Sequence, residues 1–396
     1  MRLVSKPLRV ASIGMGWWSD VLADAMVRSG KLAIAACYSR SEEKRAKFAA
    51  KYGCRAVASY EEILDDPGIE AIVNTTPNSA HLETTRAAAA AGKHVFLDKP
   101  IANTVADARA LTQACRAAPA YEEILDDPTI EAIVNTTPNA VHLETTREAA
   151  GAGKHVFLDK PIANTVADAR ALTKACREAG VVLALGYQRR RESHFRWVRE
   201  RIDAGEFGRL VNAESNISRD RLGKIDLSSW RYTAEGMPGG VLLQIGIHYT
   251  DVLEYLMGPI RAVSAASARL VLPGDNPDVA SVVLEHDNGA LSTLNASYAS
   301  AAEHYVMNVY GKEATAYYDL QHGLSILRRG ETRAKPVDCA KNDPIVEELE
   351  EFAAAARGEC EPEMDGERST ASLAVILAAI RSAREGRRVE VKEMLA

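Results

Sequence analysis

The chain has few of the features that mark metal-binding, redox-active or nucleic-acid-binding proteins. Its six cysteines among 396 residues include no C-x-x-C pair, so neither a zinc site nor a dithiol motif is indicated. Acidic residues outnumber basic ones by 54 to 48, and the formal net charge is -6. A nucleic-acid surface usually needs a basic stripe, which this chain does not have. We therefore expect reduced thiols, no bound metal and no nucleic-acid partner.

Long hydrophobic runs are also missing. No stretch reaches the roughly 20 apolar residues that a membrane-spanning helix needs. The opening residues pass directly into a strand and a glycine turn, without the apolar core and cleavage site of a signal peptide. We expect a cytoplasmic protein with no membrane contact. The hydrophobic fraction of 47% at this length favours two well-buried domains.

Strand and helix patterns alternate through the first half of the chain. Residues 8–13 are a short apolar run that ends in a glycine turn, and residues 20–30 carry apolar side chains at helical spacing. This alternation predicts an α/β fold with a Rossmann-type parallel sheet. After residue 187 the strand patterns are joined by turns such as Asp287-Asn288-Gly289, which predicts an α+β domain with a large open antiparallel sheet. We place the two domains at residues 1–186 and 187–396.

One segment of the first domain occurs twice. Residues 60–118 recur as residues 121–179 with seven differences, and each copy encodes the pattern αβαβα. A solenoid needs at least three stacked repeats, so two copies this similar indicate a tandem duplication inside the Rossmann domain. Each copy includes the turn Asp-Lys-Pro, which places Lys99 in one copy and Lys160 in the other.

The turn after the first strand has the pattern of a dinucleotide site. Gly14 and Gly16 allow a tight turn and a close approach of a pyrophosphate to the N-terminus of the next helix. The second strand ends in Cys37-Tyr38-Ser39-Arg40-Ser41, without the carboxylate that would hold a ribose 2′-hydroxyl. Because Ser39 and Arg40 would accept a 2′-phosphate instead, NADP is preferred over NAD.

These motifs together resemble the Gfo/Idh/MocA oxidoreductases. The resemblance rests on the glycine turn, the T-T-P-N sequences, the D-K-P turns in the place of that family's E-K-P, and GGVLLQIGIHYTD at Gly239–Asp251. It implies hydride transfer between a nicotinamide and a carbon that bears a hydroxyl group. It also assigns cofactor contacts to residues of the glycine turn, of strand two and of both copies: Gly14, Gly16, Trp17, Trp18, Ser39, Arg40, Thr75, Pro77, Asn78, Thr136, Pro138, Asn139, Asp159 and Pro161.

The same resemblance implies the catalytic residues. His248 suits the base that takes the hydroxyl proton, and the lysine of a D-K-P turn, Lys160 or Lys99, suits the cation that stabilises the alkoxide. Gln244 stands where the family commonly has an aspartate, and helical spacing places it beside His248. For substrate contacts we name Arg190, as part of a carboxylate clamp at Arg189–Arg191, together with Trp230 and Tyr249. Alternatively, the arginines are ordinary surface charges and the two aromatic residues pack in the core, without contacting a substrate.

Two arrangements of the copies are open. Both copies could extend one sheet, or the second copy could lie beside strand one and leave the first to pack elsewhere. The second arrangement completes an active site with Lys160, which we expect to be the working lysine.

The expected function is an NAD(P)-dependent dehydrogenase of a sugar, polyol or cyclic dihydrodiol, oxidising CH–OH or, in a dihydrodiol, CH–CH. The alternatives are a cofactor-binding regulator without catalysis and an inactive duplication product. The open sheet predicts a homodimer or homotetramer.

Overall fold

The first of two compact units is built on a five-stranded parallel sheet. The computed structural model describes residues 7–117, 120–222 and 229–396, and the units divide between Ile130 and Glu131. The strand order is β3-β2-β1-β4-β5, and every pair is parallel. The elements of this unit are β1 (Leu8–Ile13), α1 (Trp17–Ser29), β2 (Leu32–Tyr38), α2 (Glu42–Tyr52), β3 (Arg55–Ala56), α3 (Glu61–Leu64), β4 (Ala71–Asn74), α4 (Asn78–Ala90), β5 (His94–Leu97), α5 (Val105–Ala117) and α6 (Ala120–Asp126).

Local sequence signals explain these elements. All four residues of β4 are buried, as expected for a parallel strand that is covered on both faces. Helix α2 begins after Ser41, whose side chain accepts a hydrogen bond from the Lys44 backbone N–H at 3.4 Å. It ends at Gly53, which has a left-handed conformation with φ 67°. The predicted strand–helix alternation is confirmed for this part of the chain.

The second unit begins with a separate three-stranded parallel sheet. Its strands are in the order β6-β7-β8, and its helices α7 and α8 pack against each other. Phe157 of β7 contacts Phe352 of the later helix α11, with ring centroids 5.7 Å apart. The elements are β6 (Ala132–Asn135), α7 (His142–Gly151), β7 (His155–Asp159), α8 (Val166–Glu178), β8 (Leu183–Gly186) and α9 (Ser193–Asp203), with short 3₁₀ turns at Asn139–Val141 and Gln188–Arg191.

A nine-stranded, mostly antiparallel sheet forms the rest of the second unit. Its order is β16-β15-β14-β13-β9-β12-β11-β10-β17, and only the pair β9–β12 is parallel. Helices α10 and α12 pack on this sheet, and alternate residues of β11 and β12 are buried there. The elements are β9 (Leu210–Asp220), a 3₁₀ turn (Trp230–Tyr232), a π-helical turn (Leu242–Gly246), α10 (Ile247–Met257), β10 (Ile260–Ala268), β11 (Val279–His286), β12 (Leu291–Ser297), β13 (Ala299–Gly311), β14 (Ala314–Asp319), β15 (Gly323–Arg328), β16 (Lys335–Pro336), α11 (Pro344–Ala356), α12 (Gly366–Glu385), β17 (Val389–Glu390) and α13 (Lys392–Leu395).

The parallel strands therefore end at Gly186, and the large sheet follows, as the fold-class prediction required. The division into compact units falls earlier, at residues 130 and 131, so the second copy of the repeat groups with the C-terminal residues. Among the described residues, no helix is long and apolar enough to cross a bilayer.

Neither arrangement expected for the repeat matches the sheets. Strand β4 of the first copy pairs with β1, so the second copy does not occupy that place. Strands β5 and β6 belong to different sheets, so the copies do not extend one sheet. The physical reason is connectivity: the first copy follows β3 with only a short helix between, and its loop to β1 is the shorter one to close. The second copy is in turn directly connected to β8 and pairs with it through β7.

The two copies have the same local structure in different surroundings. Asn74 and Asn135 each donate a hydrogen bond of 2.8 Å to a threonine hydroxyl of the following helix. Val73 is 5% exposed because helices of the first unit cover it, whereas its equivalent Val134 is 59% exposed on the open side of β6. The last residue of the first copy, Ala118, lies outside the described residues.

Candidate active site

The glycine turn of the first unit has the geometry of a dinucleotide site. Gly14 has φ 84°, and a Cβ there would lie 2.5 Å from the Thr76 backbone nitrogen, so only glycine fits. A Cβ on Gly16 would meet nothing within 4 Å. The space beside Gly16, at the N-terminal end of α1, is therefore open for a pyrophosphate that approaches the backbone N–H groups.

The first copy of the repeat holds the other side of this turn. The Thr75 hydroxyl donates to the Gly14 carbonyl at 2.6 Å, and the Thr75 backbone N–H donates to the Ile13 carbonyl at 2.9 Å. The T-T-P-N sequence after β4 is thereby fixed against the end of β1. This contact supports the predicted cofactor role of Thr75 and places Pro77 next to it in the same cleft.

A cleft of about 940 Å³ extends from the glycine turn along the carboxyl ends of the strands, where open α/β sheets bind ligands. Every predicted cofactor residue of the first unit lines this cleft except Asn78. Asn78 lines a neighbouring cavity, and Ser79 and Glu83 line both cavities. The residues around the larger cleft include Gly14, Gly16, Trp17, Trp18, Tyr38, Ser39, Arg40, Ser41, Lys44, Tyr60, Glu61, Thr75, Thr76, Pro77 and Glu83.

The part of the cleft at the end of β2 is cationic. Arg40 is exposed there, and Lys44 of the next helix turn, which sequence analysis did not single out, is exposed beside it. The Ser39 carbonyl accepts a hydrogen bond from Arg45 at 2.9 Å, which fixes the strand end. A 2′-phosphate fits these charges and hydroxyls, while no carboxylate stands at positions 37–41.

The two D-K-P turns share one local design. Both Lys–Pro bonds, Lys99-Pro100 and Lys160-Pro161, are cis. A buried histidine holds each turn: His81 contacts the Pro100 and Thr76 carbonyls, both at 2.8 Å. His142 makes the corresponding contacts in the second copy, at 3.1 Å to Pro161 and 2.8 Å to Thr137. Sequence reasoning missed this pair, although a histidine four residues after Pro77 and Pro138 was visible in both copies.

The surroundings of the two turns differ. Burial raises the pKa of Asp98 in the first copy, against the opposing effects of Lys99 and of a hydrogen bond with Trp18. The first D-K-P turn is thus next to the tryptophan pair of the cofactor cleft. The Lys160 ammonium instead donates to the Gln244 carbonyl at 2.9 Å. Lys99 is exposed, and Lys160 is half-buried.

Gln244 lies in a π-helical turn directly before α10. The turn runs from Leu242 to Gly246, and His248 is the second residue of α10. Single π turns inside helices often occur at functional sites. The Gln244 side-chain oxygen accepts a hydrogen bond from the hydroxyl of Tyr298, a buried residue that sequence analysis did not name. Lys160, Gln244 and Tyr298 therefore form one connected group, and His248, 7% exposed, follows in the same helical segment.

The predicted arginine clamp has another role in the structure. Arg190 pairs with Asp251 and Glu363, Arg189 with Glu192, and Arg191 with Glu351. These carboxylates neutralise the three guanidinium groups inside the second unit. The arginines therefore tie the 3₁₀ turn Gln188–Arg191 to α10, to α11 and to Glu363, and they are not open cations for a substrate.

The remaining predicted residues are mainly buried. Trp230 and Tyr249 are 2% and 1% exposed, which agrees with the core alternative given for them. In the second copy, Thr136 is exposed and Asp159 half-buried, whereas Pro138, Asn139 and Pro161 are buried. The Asn139 amide donates to Asn164 at 3.1 Å. The cofactor role of these second-copy residues stays a prediction.

Comparison with protein families gives matches over most of the chain. A model described as the GFO/IDH/MocA C-terminal domain matches residues 195–317. A model described as an oxidoreductase family with an NAD-binding Rossmann fold matches twice, at residues 8–121 and 115–187. The first match includes residues 60–118, and the second includes residues 121–179.

Individual proteins also match the chain, at sequence identities of 28% to 30%. The 1,5-anhydro-D-fructose reductase of Ensifer adhaerens is 30% identical over 280 residues, which are 68% of this chain and 83% of that protein. The scyllo-inositol 2-dehydrogenase (NAD(+)) of Bacillus subtilis is 28% identical over 288 residues, 68% of this chain and 80% of that protein. The crystal structure of a candidate NADPH-dependent oxidoreductase from Desulfitobacterium hafniense superposes with a TM-score of 0.64 at 28% identity and covers 99% of this chain and 100% of that one.

Proposed function

The chain belongs to the Gfo/Idh/MocA family of NAD-binding oxidoreductases, and from that premise we propose that it is a dehydrogenase of a hydroxylated carbohydrate. The reacting carbon would carry a secondary hydroxyl group of a sugar or polyol, the substrate class named for its relatives. A cyclic dihydrodiol, in which a CH–CH unit would be oxidised, is the other candidate substrate. The observation that carries the proposal is the hydrogen bond of 2.9 Å between Lys160 and the Gln244 carbonyl, which joins the lysine turn to the helical segment of His248.

The residues divide the reaction between them. A bound nicotinamide would accept the hydride. The ammonium of Lys160 would stabilise the negative charge that develops on the substrate oxygen, because it is held in a half-buried position. The imidazole of His248 would take the hydroxyl proton. Gln244 carries no charge and would orient the group through its hydrogen bond with Tyr298.

We further propose that NADP is the preferred cofactor. Arg40 and Lys44 are exposed in the cleft, and Ser39 and Ser41 add hydroxyl groups at the position where NAD-specific proteins usually carry an acid. A 2′-phosphate would gain charge-assisted hydrogen bonds from these side chains.

Two structural proposals accompany the activity. We infer that the repeat is a tandem duplication, because the two copies differ in residue type at only seven positions and their hydrogen bonds match. A homo-oligomer would bury the open face of the nine-stranded sheet, which exposes Val211, Val283 and Leu291. Light scattering at two protein concentrations tests the second proposal.

The activity is tested by following the ultraviolet absorbance of reduced nicotinamide with NADP or NAD and a panel of sugars, inositols and cyclic diols. Sustained substrate-dependent reduction is the expected result. Binding of NADP without turnover on any member would instead support a regulator or an inactive duplication product.

A further inference from the structure

Three arginines of the second unit lie close enough to Tyr298 to act on its hydroxyl group electrostatically. Arg219 is near the end of β9 and, by strand alternation, faces the same side of the sheet as the buried Ile217. Arg221 follows the strand, and its backbone N–H donates to the Tyr298 carbonyl at 2.9 Å. Arg231 lies in the 3₁₀ turn Trp230–Tyr232. Burial raises the pKa of Tyr298, and the positive charges of these three arginines oppose that rise, so all three act on one place.

Two of these cations are not neutralised by the part of the chain that the structure describes. The Nε atoms of Arg219 and Arg221 are shielded from water, and no described residue accepts a hydrogen bond from them. Arg219 stacks over the ring of Tyr305, with its Cζ 5.6 Å from the centroid, but pairs with no described carboxylate. Arg190, by contrast, has two carboxylate partners. A buried guanidinium nitrogen without an acceptor is costly unless a ligand supplies one.

The arginines are connected to the proposed catalytic group through a single residue. The hydroxyl of Tyr298 donates to the Gln244 side chain, and the Gln244 carbonyl accepts from Lys160. The ring of Tyr232 packs edge-on against Tyr298 at 5.9 Å. A substrate whose hydroxyl group reaches Lys160 would therefore extend past Tyr298 toward Arg219 and Arg221.

We propose that Arg219 and Arg221 bind an anionic group of the substrate, a carboxylate or a phosphate, so that the substrate is a sugar acid or sugar phosphate. This inference rests on the proposed function and narrows its substrate class. The planar guanidinium fork suits both anions, because two parallel N–H donors match two oxygens of either group.

The test compares three probes that share one sugar ring and differ at C6: D-glucose has a hydroxyl group there, D-glucuronate a carboxylate and D-glucose 6-phosphate a phosphate. Calorimetric titration in the presence of NADP measures binding, and nicotinamide absorbance measures turnover in parallel. We expect one anionic probe to bind at least about tenfold more tightly than glucose. The preferred anion distinguishes a carboxylate substrate from a phosphate substrate.

The variants Arg219→Gln and Arg221→Gln should each weaken binding of the preferred anion by about 10- to 100-fold and leave the dissociation constant of glucose unchanged. Arg333→Gln, at an exposed position, is the matched control and should change neither value. Arg219→Lys keeps the charge without the fork and should give an intermediate loss. If the Gln variants do not fold, added salt must still weaken anion binding, but not glucose binding, by the unaltered protein.

Glucose binding as tight as both anions, or Gln variants that fold and bind the anion normally, would overturn the inference. Turnover is a separate readout. Arginine-dependent anion binding without any turnover supports the anion site and contradicts the redox proposal. Turnover of neutral sugars at rates that neither Gln variant changes supports the redox proposal and contradicts the anion site.

Discussion

The two lysines of the D-K-P turns offer an internal control for the proposed chemistry. Lys160→Ala and Lys99→Ala remove the same side chain from the same local sequence, each before a cis proline. The Lys160 ammonium donates to the Gln244 carbonyl at 2.9 Å, whereas Lys99 is exposed in the first unit. If the proposed site is correct, the two substitutions must differ in their effect on turnover.

The expected size of the difference follows from the role of the ammonium. Loss of one donor that stabilises a developing oxyanion costs about 100- to 1,000-fold in kcat, or about 3–4 kcal/mol. Lys160→Ala should therefore lower kcat by that factor with NADP binding retained. Lys99→Ala should change kcat by less than about twofold, because the proposed mechanism assigns the stabilising charge to Lys160 and substitutions at exposed positions usually have small effects.

The assay measures initial rates with saturating NADP, together with cofactor binding by quenching of the Trp17 and Trp18 fluorescence, since both rings line the cleft. Thermal unfolding of both variants controls for loss of structure. A loss of turnover confined to Lys99→Ala would assign catalysis to the first copy and refute the catalytic role of Lys160. Small losses in both variants would remove the lysine from the mechanism.

Three further predictions address stability, cofactor choice and pH dependence. Val73→Ala should lower the free energy of unfolding by about 1–2 kcal/mol, whereas Val134→Ala, at 59% exposure, should change it by less than about 0.5, in urea unfolding followed by circular dichroism; equal losses would contradict the different burial of the copies. Arg40→Ala should raise the KM for NADP about tenfold and leave that for NAD unchanged, and a parallel rise for NAD would argue against 2′-phosphate binding. Burial raises the pKa of Glu348 from 4.5 to about 8, so the folded state holds a proton that the unfolded chain releases, and stability falls as the pH rises between those values. Glu348→Gln should thus raise the Tm near pH 8 and have little effect near pH 5; the same gain at both would show that ionisation is not the cause.

Much of the local structure followed from short-range sequence signals. The glycine turn was predictable because the turn needs glycine: Gly14 has a positive φ of 84°, and a Cβ there would lie 2.5 Å from the Thr76 nitrogen. The alternation of apolar strands and capped helices predicted the parallel sheet, and strand patterns joined by turns such as Asp287-Asn288-Gly289 predicted the large sheet. The alternating burial along β11 and β12 agrees with that prediction. The arginine pair and Tyr298 had no such signal, because their proximity depends on the pairing of β9 with β13, which sets Asp220 opposite Ala299. The link from Tyr298 to the Lys160 group depends on the hydrogen bond to Gln244.

The repeat separates the two kinds of information within one chain. Sequence alone determined that both copies form the same strands, helices and lysine turns, since these depend on residues within each copy and on hydrogen bonds such as those of His81 and His142. Tertiary structure decided which neighbours surround each copy. Phe96 is 56% exposed and its equivalent Phe157 only 7%, because burial depends on which neighbours cover a strand, and identical sequences do not choose their neighbours.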